Sequence, residues 1–256
     1  MKIASWNVNS LKVRLPQLLD WLATQQPHIL CLQETKLEDH NFPRAELEAA
    51  GYHVAYSGQK TYNGVALLAQ SPITDVVCGN PHFADPQKRL IAGTVDGVRV
   101  ISAYFPNGQA VGSDKYAYKL DWLAGLKTWL AEELRRYPHL ALCGDFNIAP
   151  EDQDVYDPQK WAGAILCSEP ERAAFRDLLA LGLVDSFRLF TQPEQSFSWW
   201  DYRMLGFQKN QGLRIDHVLL SPPLAARCAA AGIDRAPRKR ERPSDHAPVW
   251  ADISTP

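Results

Sequence analysis

Apolar and polar positions alternate along the chain in short runs rich in β-branched and aromatic residues, which is the pattern of β-strands. The predicted strands are residues 2–8, 28–33, 52–56, 65–69, 98–104, 140–142, 215–220 and 247–253. Asn63-Gly64 lies between two of these runs, and this dipeptide supplies the positive φ angles that tight hairpins prefer. The pattern therefore predicts a tight hairpin at Asn63-Gly64.

Helical spacing interrupts the strands at three places. Leucines 15, 18, 19 and 22 follow the i, i+3, i+4, i+7 pattern, with Pro16 in the opening turn. Trp122, Leu126 and Trp129 repeat this spacing, and a capping box at residues 168–171 opens a third helix that Gly182 closes. Because these helices are too few to follow every strand, the order favours mixed sheets packed together with helices outside. A purely doubly wound parallel sheet fits less well.

Composition narrows the class of protein. Hydrophobic residues make up 46% of the 256 positions and charged residues 22%, which supplies one large core and excludes a disordered chain. There is no internal repeat or long linker, so we predict a single domain over residues 1–256. No apolar run approaches the roughly 18 residues of a membrane span. The five cysteines lack any C-x-x-C, and the chain starts without a signal segment, which together predict a cytoplasmic protein.

Polar side chains stand where the predicted strands begin or end: Asn7, Glu34, Tyr104, Asp145, Asn147, Asp216, Asp245 and His246. Asp216 is the clearest case, because an acid inside an apolar run costs several kcal/mol unless it is paired or metal-bound. Taken singly, the others have ordinary structural explanations. Residues 144–147 fit a turn with Asx caps, Glu34 fits the entry of a helix, and residues 244–246 fit a capped turn.

Together these residues indicate one chemistry. Carboxylate and amide oxygens without thiolates suit a hard cation such as Mg²⁺ or Mn²⁺. A histidine beside acids suits proton handling or phosphate contact, and the Tyr104 hydroxyl and Asn147 amide suit charge developing on a phosphoryl oxygen. The set is typical of metal-assisted phosphodiester hydrolysis.

At these residues the sequence resembles the exonuclease III family of the endonuclease/exonuclease/phosphatase superfamily, from about Lys2 to Asp252. Nine segments carry the resemblance in order: SWNVN (5–9), LQETK (32–36), GQK (58–60), YNGVA (62–66), YFPNG (104–108), GDFNIAP (144–150), WWDYR (199–203), LRID (213–216) and RPSDHAP (242–248). The resemblance implies an α/β fold, a four-layered sandwich of two mixed sheets with helices outside and the active site at one edge.

The resemblance also implies a Mg²⁺-dependent nuclease of DNA repair, including base excision repair, with one or two ions that Mn²⁺ can replace. The implied substrate is double-stranded DNA with 3′ ends, nicks or abasic sites, cut by a monomer with no membrane partner. Family activities include 3′→5′ exonuclease action, removal of blocked 3′ ends and incision at abasic sites. Each of these is an expectation for this chain.

The family's motifs assign roles to the polar residues. The implied metal set is Asn7, Glu34, Asp145, Asn147, Asp245 and His246, with Glu34 as principal ligand. The implied catalytic set is Asp145, His246, Tyr104, Asn147 and Asp216. In it Asp145 is the general base or the proton donor, and Asn147 orients water or phosphate. Tyr104 and His246 contact the scissile phosphate, and Asp216 orients His246.

DNA contacts must come from local residues, because 27 basic against 29 acidic side chains leave a net charge of −2. Lys115 and Lys119 are four residues apart, so on a helix both are expected to face one way, with Tyr116 nearby. The other predicted DNA-binding residues are Lys36, Lys60, Arg89, Asn107, Trp199, Arg203 and Leu213. For any lysine outside the motifs, an ordinary solvated surface is the alternative.

Trp199, Leu213 and Ile215 are expected to wall the pocket that receives a flipped abasic sugar, with its rim in residues 161–168. Leu166 is larger than a rim glycine or serine, so we predict a narrowed pocket and 3′-end activity that exceeds abasic incision. Two other functions remain. A superfamily phosphatase or phosphodiesterase on a non-DNA substrate would lack the Trp-Asp-Tyr-Arg segment. A non-catalytic DNA-binding module would lack a catalytic group, and none is missing.

Overall fold

The computed structural model describes residues 1–255. The strands are β1 Lys2–Asn7, β2 Ile29–Gln33, β3 His53–Ser57, β4 Val65–Ala69, β5 Thr74–Cys78, β6 Leu90–Val95, β7 Val98–Tyr104, β8 Leu140–Asp145, β9 Val184–Asp185, β10 Trp199–Trp200, β11 Gly212–Leu213, β12 Asp216–Leu220, β13 Cys228–Ile233 and β14 Val249–Ile253. The helices are α1 Leu11–Gln25, α2 Arg44–Ala49, α3 Asp114–Arg136, α4 Pro158–Trp161, α5 Glu169–Ala180 and α6 Pro222–Ala225. Five 3₁₀ turns are Asp39–Asn41, Asp152–Asp154, Ser186–Leu189, Arg203–Leu205 and Ala236–Lys239.

Twelve of the strands form two six-stranded mixed sheets, in the orders β13-β14-β1-β2-β4-β3 and β5-β6-β7-β8-β12-β9. Their inner faces meet in a core that includes Ile3, Ile29, Leu67, Val100 and Cys143. This arrangement confirms the predicted sandwich of two mixed sheets. The short strands β10 and β11 form a separate ribbon near one edge.

Helices cover both outer faces and complete the four layers. Leu18, Trp21 and Leu22 of α1 pack on the first sheet, while Trp122 of α3 and Phe175 of α5 belong to the cluster on the second. The three predicted helices are present, and the Ser168–Glu171 capping box opens α5. Helix α1 begins earlier than its leucines indicated, so Pro16 lies beyond the opening turn. Among the described residues, no helix combines the length and apolarity that a membrane span requires.

The tight hairpin predicted at Asn63-Gly64 is wrong. Strands β3 and β4 do pair, but the connection runs from residue 58 to 64. Asn63 and Gly64 have the expected positive φ angles, 57° and 96°, and their carbonyls accept the backbone N–H groups of Lys36 and Thr35. A Cβ on Gly64 would lie 2.1 Å from Thr35 Oγ1. The left-handed backbone therefore packs this loop against the turn after β2, which carries Glu34.

Each sheet contains one parallel pair, β1 with β2 and β7 with β8. Parallel strands bring their carboxyl ends to the same edge of a sheet. Because the two sheets pack face to face with β1 against β8 and β2 against β7, both pairs end at the same edge of the sandwich. The residues at these four strand ends therefore converge.

Candidate active site

Asn7 and Glu34 come from the ends of β1 and β2. Asn7 closes β1 beside Gln33, and Glu34 follows in a left-handed turn with φ 51°. The side-chain Nδ2 of Asn7 donates to Glu34 Oε1 and to Asp145 Oδ2, both at 2.9 Å. Asn7 therefore positions two carboxylates that belong to different sheets.

The second sheet supplies Tyr104, Asp145 and Asp216. Tyr104 pairs with Asp145 at the ends of β7 and β8, and Asp216 pairs with Asp145 from the opposite side at the start of β12. The backbone of Asn147, which has φ 50°, donates to Asp145 Oδ1 at 3.0 Å. The Asn147 amide donates to the Phe105 carbonyl at 2.8 Å, so this side chain is fixed beside Asp145.

His246 reaches the same edge from the segment that precedes β14. The Ser244 hydroxyl donates to the Asn7 carbonyl at 2.6 Å, and Trp6 Nε1 donates to the His246 carbonyl at 3.2 Å. The imidazole Nδ1 lies 2.8 Å from Asp216 Oδ2, and Nε2 lies 3.5 Å from Asp145 Oδ2. Asp216 therefore orients the ring so that Nε2 faces the catalytic edge.

Glu34 and Asp145 fit a cation site beside the His246 imidazole. One potential ligand atom from each lies within 4.8 Å of the others. The two carboxylates supply the hard oxygen ligands that Mg²⁺ prefers, and a small ion accepts few protein ligands and retains water. Asp245 lies at the margin, because its oxygens accept hydrogen bonds from Asn9 Nδ2 at 3.2 Å and Trp199 Nε1 at 3.1 Å.

Burial and charge shift the proton affinities of this set. Burial, together with the negative charges of Asp216 and Glu34, raises the pKa of Asp145 to about 7, although His246 opposes the shift. Burial alone would lower the pKa of His246, but the Asp216, Asp145 and Asp245 carboxylates hold it well above its usual range. Burial also raises the pKa of Tyr104, so the phenol remains a donor. Asp145 can thus exchange a proton near neutral pH, while His246 and Tyr104 remain protonated and donate hydrogen bonds.

A cleft of about 590 Å³ opens beside Tyr104 and is also lined by Arg89, Asn107 and Lys115. The Arg89 guanidinium lies 4.8 Å from the centre of the Tyr104 ring, and its NH1 group donates to the Tyr104 carbonyl at 3.2 Å. The ammonium of Lys36 lies 3.5 Å from Glu34 Oε2. Lys60 and Arg203 are exposed, and Arg203 pairs with Asp201. The cleft therefore joins polar DNA-binding candidates to the catalytic edge.

Lys119 and Tyr116 correct the predicted DNA-binding set. Lys119 is fully buried, and its ammonium donates to the Glu171 carboxylate and to the Asn147 carbonyl at 2.7 Å. Tyr116 is 7% exposed and its hydroxyl contacts Ser168 Oγ at 2.7 Å. The helical spacing predicts that Lys115 and Lys119 share a face of α3. The rest of the protein covers this face at Lys119 and leaves Lys115 exposed.

Lys115 alone of this helical pair is exposed, so Lys115→Ala is expected to weaken DNA binding through the loss of one phosphate contact. The slope of log K against log salt should become shallower by about one unit at most. Lys127→Ala is the matched control, because Lys127 is on the same helix α3 and pairs with Asp177 at 3.5 Å. Equal slopes in the two variants, measured by fluorescence anisotropy, would remove Lys115 from the DNA path.

The predicted pocket residues form an apolar cluster next to His246. Leu166, Leu213 and Ile215 are buried together, and Trp199 packs against them. Trp199 pairs with Leu213 across the β10–β11 ribbon and also bridges to His246. Leu166 is only 4% exposed, so its side chain occupies this cluster.

Two residues that support the site were not found from sequence. The Ser198 hydroxyl donates to Asp216 Oδ2 at 2.7 Å and accepts the backbone N–H groups of Ile215 and Asp216 at 3.0 Å. Asn9 contacts Asp245 and accepts a hydrogen bond from Lys36 at 2.7 Å. Asn9 stands inside a recognised motif and could have been included on that signal. Ser198 has no comparable signal beyond its place before Trp199.

The sequence profile of the Endonuclease/Exonuclease/phosphatase family matches residues 4–246. The chain is 39% identical to the Exodeoxyribonuclease III of Haemophilus influenzae, over 99% of this chain and 100% of that protein. Among solved structures, the 3′ phosphatase NExo from Neisseria, bound to a product DNA hairpin, is 50% identical with a TM-score of 0.98. An AP endonuclease from Archaeoglobus fulgidus is 40% identical with a TM-score of 0.96, and both structures match over the full length of both chains.

These matches extend over the fold and over every strand end that contributes to the site. The similarity covers essentially the whole length of the chain and of each relative, so it is not confined to a few motifs. We therefore conclude that this enzyme belongs to the endonuclease/exonuclease/phosphatase family, in its exodeoxyribonuclease III and AP endonuclease branch.

Proposed function

We propose that this DNA repair nuclease is Mg²⁺-dependent and acts mainly on the 3′ ends of duplex DNA, removing 3′ phosphates and terminal nucleotides. Incision at internal abasic sites is the slower reaction. The observation that carries this preference is the buried Leu166 side chain in the apolar cluster with Leu213 and Ile215. The name of the Neisseria relative, a 3′ phosphatase at 50% identity, supports the same preference.

The chain's own residues account for the hydrolysis. Asp145 takes a proton from the attacking water or returns one to the leaving oxygen. His246, held by Asp216, and the protonated Tyr104 donate hydrogen bonds to the phosphoryl oxygens. Glu34 and Asp145 would hold Mg²⁺, which when bound neutralises developing charge on the phosphate. Asn7 holds these two carboxylates close together through the hydrogen bonds that its Nδ2 donates to both.

The preference for 3′ ends follows from whether the substrate must place a sugar in the apolar pocket. An internal abasic sugar has to leave the duplex and enter an enclosed pocket, at an unstacking cost of a few kcal/mol. Where Leu166 already fills the cluster, overfilling costs about 1–3 kcal/mol, or roughly 5- to 150-fold. A terminal 3′ phosphate can approach Asp145 and His246 without a sugar in that cluster. The penalty therefore falls on one substrate only.

Leu166→Gly is expected to raise abasic incision relative to 3′-phosphate removal by roughly 5- to 150-fold, because it empties the rim. Leu166 has φ 73°, a conformation that glycine adopts without strain, so the backbone should persist. The measurement compares kcat/KM with Mg²⁺ on matched duplexes, one with a recessed 3′ phosphate and one with an internal abasic analogue. Leu166→Met is the control, since it conserves side-chain volume and should keep the ratio.

Three results would contradict the proposal. Faster abasic incision than 3′-end processing by the wild type, or an unchanged ratio in Leu166→Gly, would exclude Leu166 as the determinant. Hydrolysis of a small soluble phosphoester without action on either duplex would instead indicate a phosphatase with a non-DNA substrate.

A further inference from the structure

Lys119 lies at a junction between two loops of the active site and helix α5. Its ammonium has three hydrogen-bond acceptors: the carbonyl of Asn147 at 2.7 Å, the carbonyl of Asn107 at 3.2 Å and the carboxylate of Glu171. Three acceptors match the three donors of an ammonium, so this buried group is satisfied. Gly108 packs on the lysine stem, because a Cβ there would lie 3.1 Å from Lys119 Cδ.

Glu171 extends the junction to the pocket rim. One of its oxygens accepts from Lys119 and from the backbone N–H of Leu166 at 3.1 Å. The other accepts from the backbone N–H and the hydroxyl of Ser168, at 3.1 and 2.6 Å. Four donors therefore converge on one carboxylate with no exposed surface.

The backbone of Leu166 needs such support. Its φ of 73° lies in the left-handed region that branched side chains rarely occupy, so neighbouring structure must hold it there. Glu171 binds the N–H of Leu166, and the backbone N–H of Ala149 binds its carbonyl at 2.9 Å. Both polar groups of this residue are thus fixed, one of them by the ion pair.

We propose that the buried Lys119–Glu171 pair is a positioning device that holds the Leu166 rim and thereby sets the preference for 3′ ends over internal abasic sites. This inference rests on the function proposed above and adds the residues that regulate it. Neither residue touches substrate. Both act through Leu166, and Lys119 additionally fixes the carbonyls of Asn107 and Asn147.

A carboxylate is required at residue 171 for a simple geometric reason. The backbone N–H groups of Leu166 and Ser168 bind different oxygens of Glu171. An amide offers only one acceptor oxygen, so Gln in this position would place an NH₂ group against one of the two N–H donors. Glu171→Gln therefore removes one hydrogen bond of the rim and weakens the other, because a neutral amide oxygen accepts more weakly than a carboxylate, while it preserves side-chain size.

The experiment compares Glu171→Gln with Glu133→Gln. Glu133 forms the other buried ion pair of helix α3, with Arg99 Nε at 2.9 Å and side chains no more than 4% exposed. It lies 14 residues beyond Lys119, about 21 Å along the helix. Both substitutions thus remove one charge from a buried pair, but only one of the pairs reaches the rim.

We expect Glu171→Gln to raise abasic incision relative to 3′-phosphate removal by at least about fivefold, and Glu133→Gln to change the ratio by less than about twofold. Lys119→Met in combination with Glu171→Gln leaves no unpaired buried charge and serves if the single variant unfolds. In a Leu166→Gly background, Glu171→Gln should leave the ratio within about twofold, because the side chain that it releases is gone.

Hydrogen exchange supplies a readout that does not depend on catalysis. At least one of the backbone amides of Leu166 and Ser168 should exchange at least about tenfold faster in Glu171→Gln than in Glu133→Gln, because the amide side chain leaves one of them without its acceptor. Unchanged exchange, or faster exchange with an unchanged substrate ratio, would overturn the inference. If the wild type acts on neither duplex, the proposed function fails, and exchange at Leu166 and Ser168 still decides whether the pair holds the rim.

Discussion

Asp145→Asn is expected to bind duplex DNA as well as the wild type does and to lose nearly all turnover. An amide can neither take a proton from water nor return one, and the loss of general acid–base catalysis is worth about 10²–10⁴-fold in kcat. Disturbance of the metal site would add to this loss. Binding should persist, because the cleft residues are unchanged and one negative charge facing the phosphate is removed.

The measurement for Asp145→Asn is a single-turnover rate on a duplex with a recessed 3′ phosphate, together with the Kd in EDTA and the melting temperature. Asp216→Asn separates the roles of the two buried acids. It should slow catalysis through misorientation of His246 but leave a titratable group at residue 145. A fall in kcat of less than about tenfold in Asp145→Asn would show that another group handles the proton.

Glu34→Gln is expected to lower kcat/KM by at least about 10²-fold, because the charge stabilisation from a bound cation is worth several kcal/mol. The fold should survive, since the amide oxygen can still accept the hydrogen bond that Asn7 Nδ2 donates to Glu34. Activity should recover in part at high Mg²⁺ concentration, because the substitution weakens the site without removing Asp145.

A Mg²⁺ titration of activity and calorimetry with Mn²⁺ in the absence of DNA check this result independently. Glu38→Gln is the control, because its carboxylate is four residues away, 44% exposed and paired only with His40 at 3.7 Å. Wild-type activity of Glu34→Gln at low Mg²⁺ would be incompatible with its role as principal ligand.

The strand ends could be predicted from sequence because they depend on local rules. Apolar runs define strands, and an acid such as Asp216 inside such a run must be paired or metal-bound. Its functional role can therefore be inferred from the linear sequence. Parallel pairing then brings Asn7 with Glu34, and Tyr104 with Asp145, to one edge of the sandwich. These two pairings account for four residues of the catalytic edge, whereas Asp216 and His246 reach it through the antiparallel strands β12 and β14.

Lys119 could not be placed in the same way. Helical periodicity indicates which side chains share a face, but not which loop or helix covers that face. The Lys119 ammonium is covered by Asn107, Asn147 and Glu171, which are distant from Lys119 in the sequence. The hairpin at Asn63-Gly64 failed for a related reason, since the dipeptide bends toward Thr35 and does not close the shortest turn.

The distribution of the site between the two sheets has a consequence for synthesis on the ribosome. His246 meets Trp6 across 240 residues, in the sheet that β14 completes beside β1. At about 5–20 residues per second, roughly 10 to 50 s pass between these two points of translation. In the last part of that interval, once residue 145 has been made, the nascent chain carries Glu34 and Asp145 but lacks the His246 imidazole. We therefore expect full nuclease activity only after the second sheet and β14 have emerged, which would limit cleavage of nucleic acid near the ribosome by an incomplete chain.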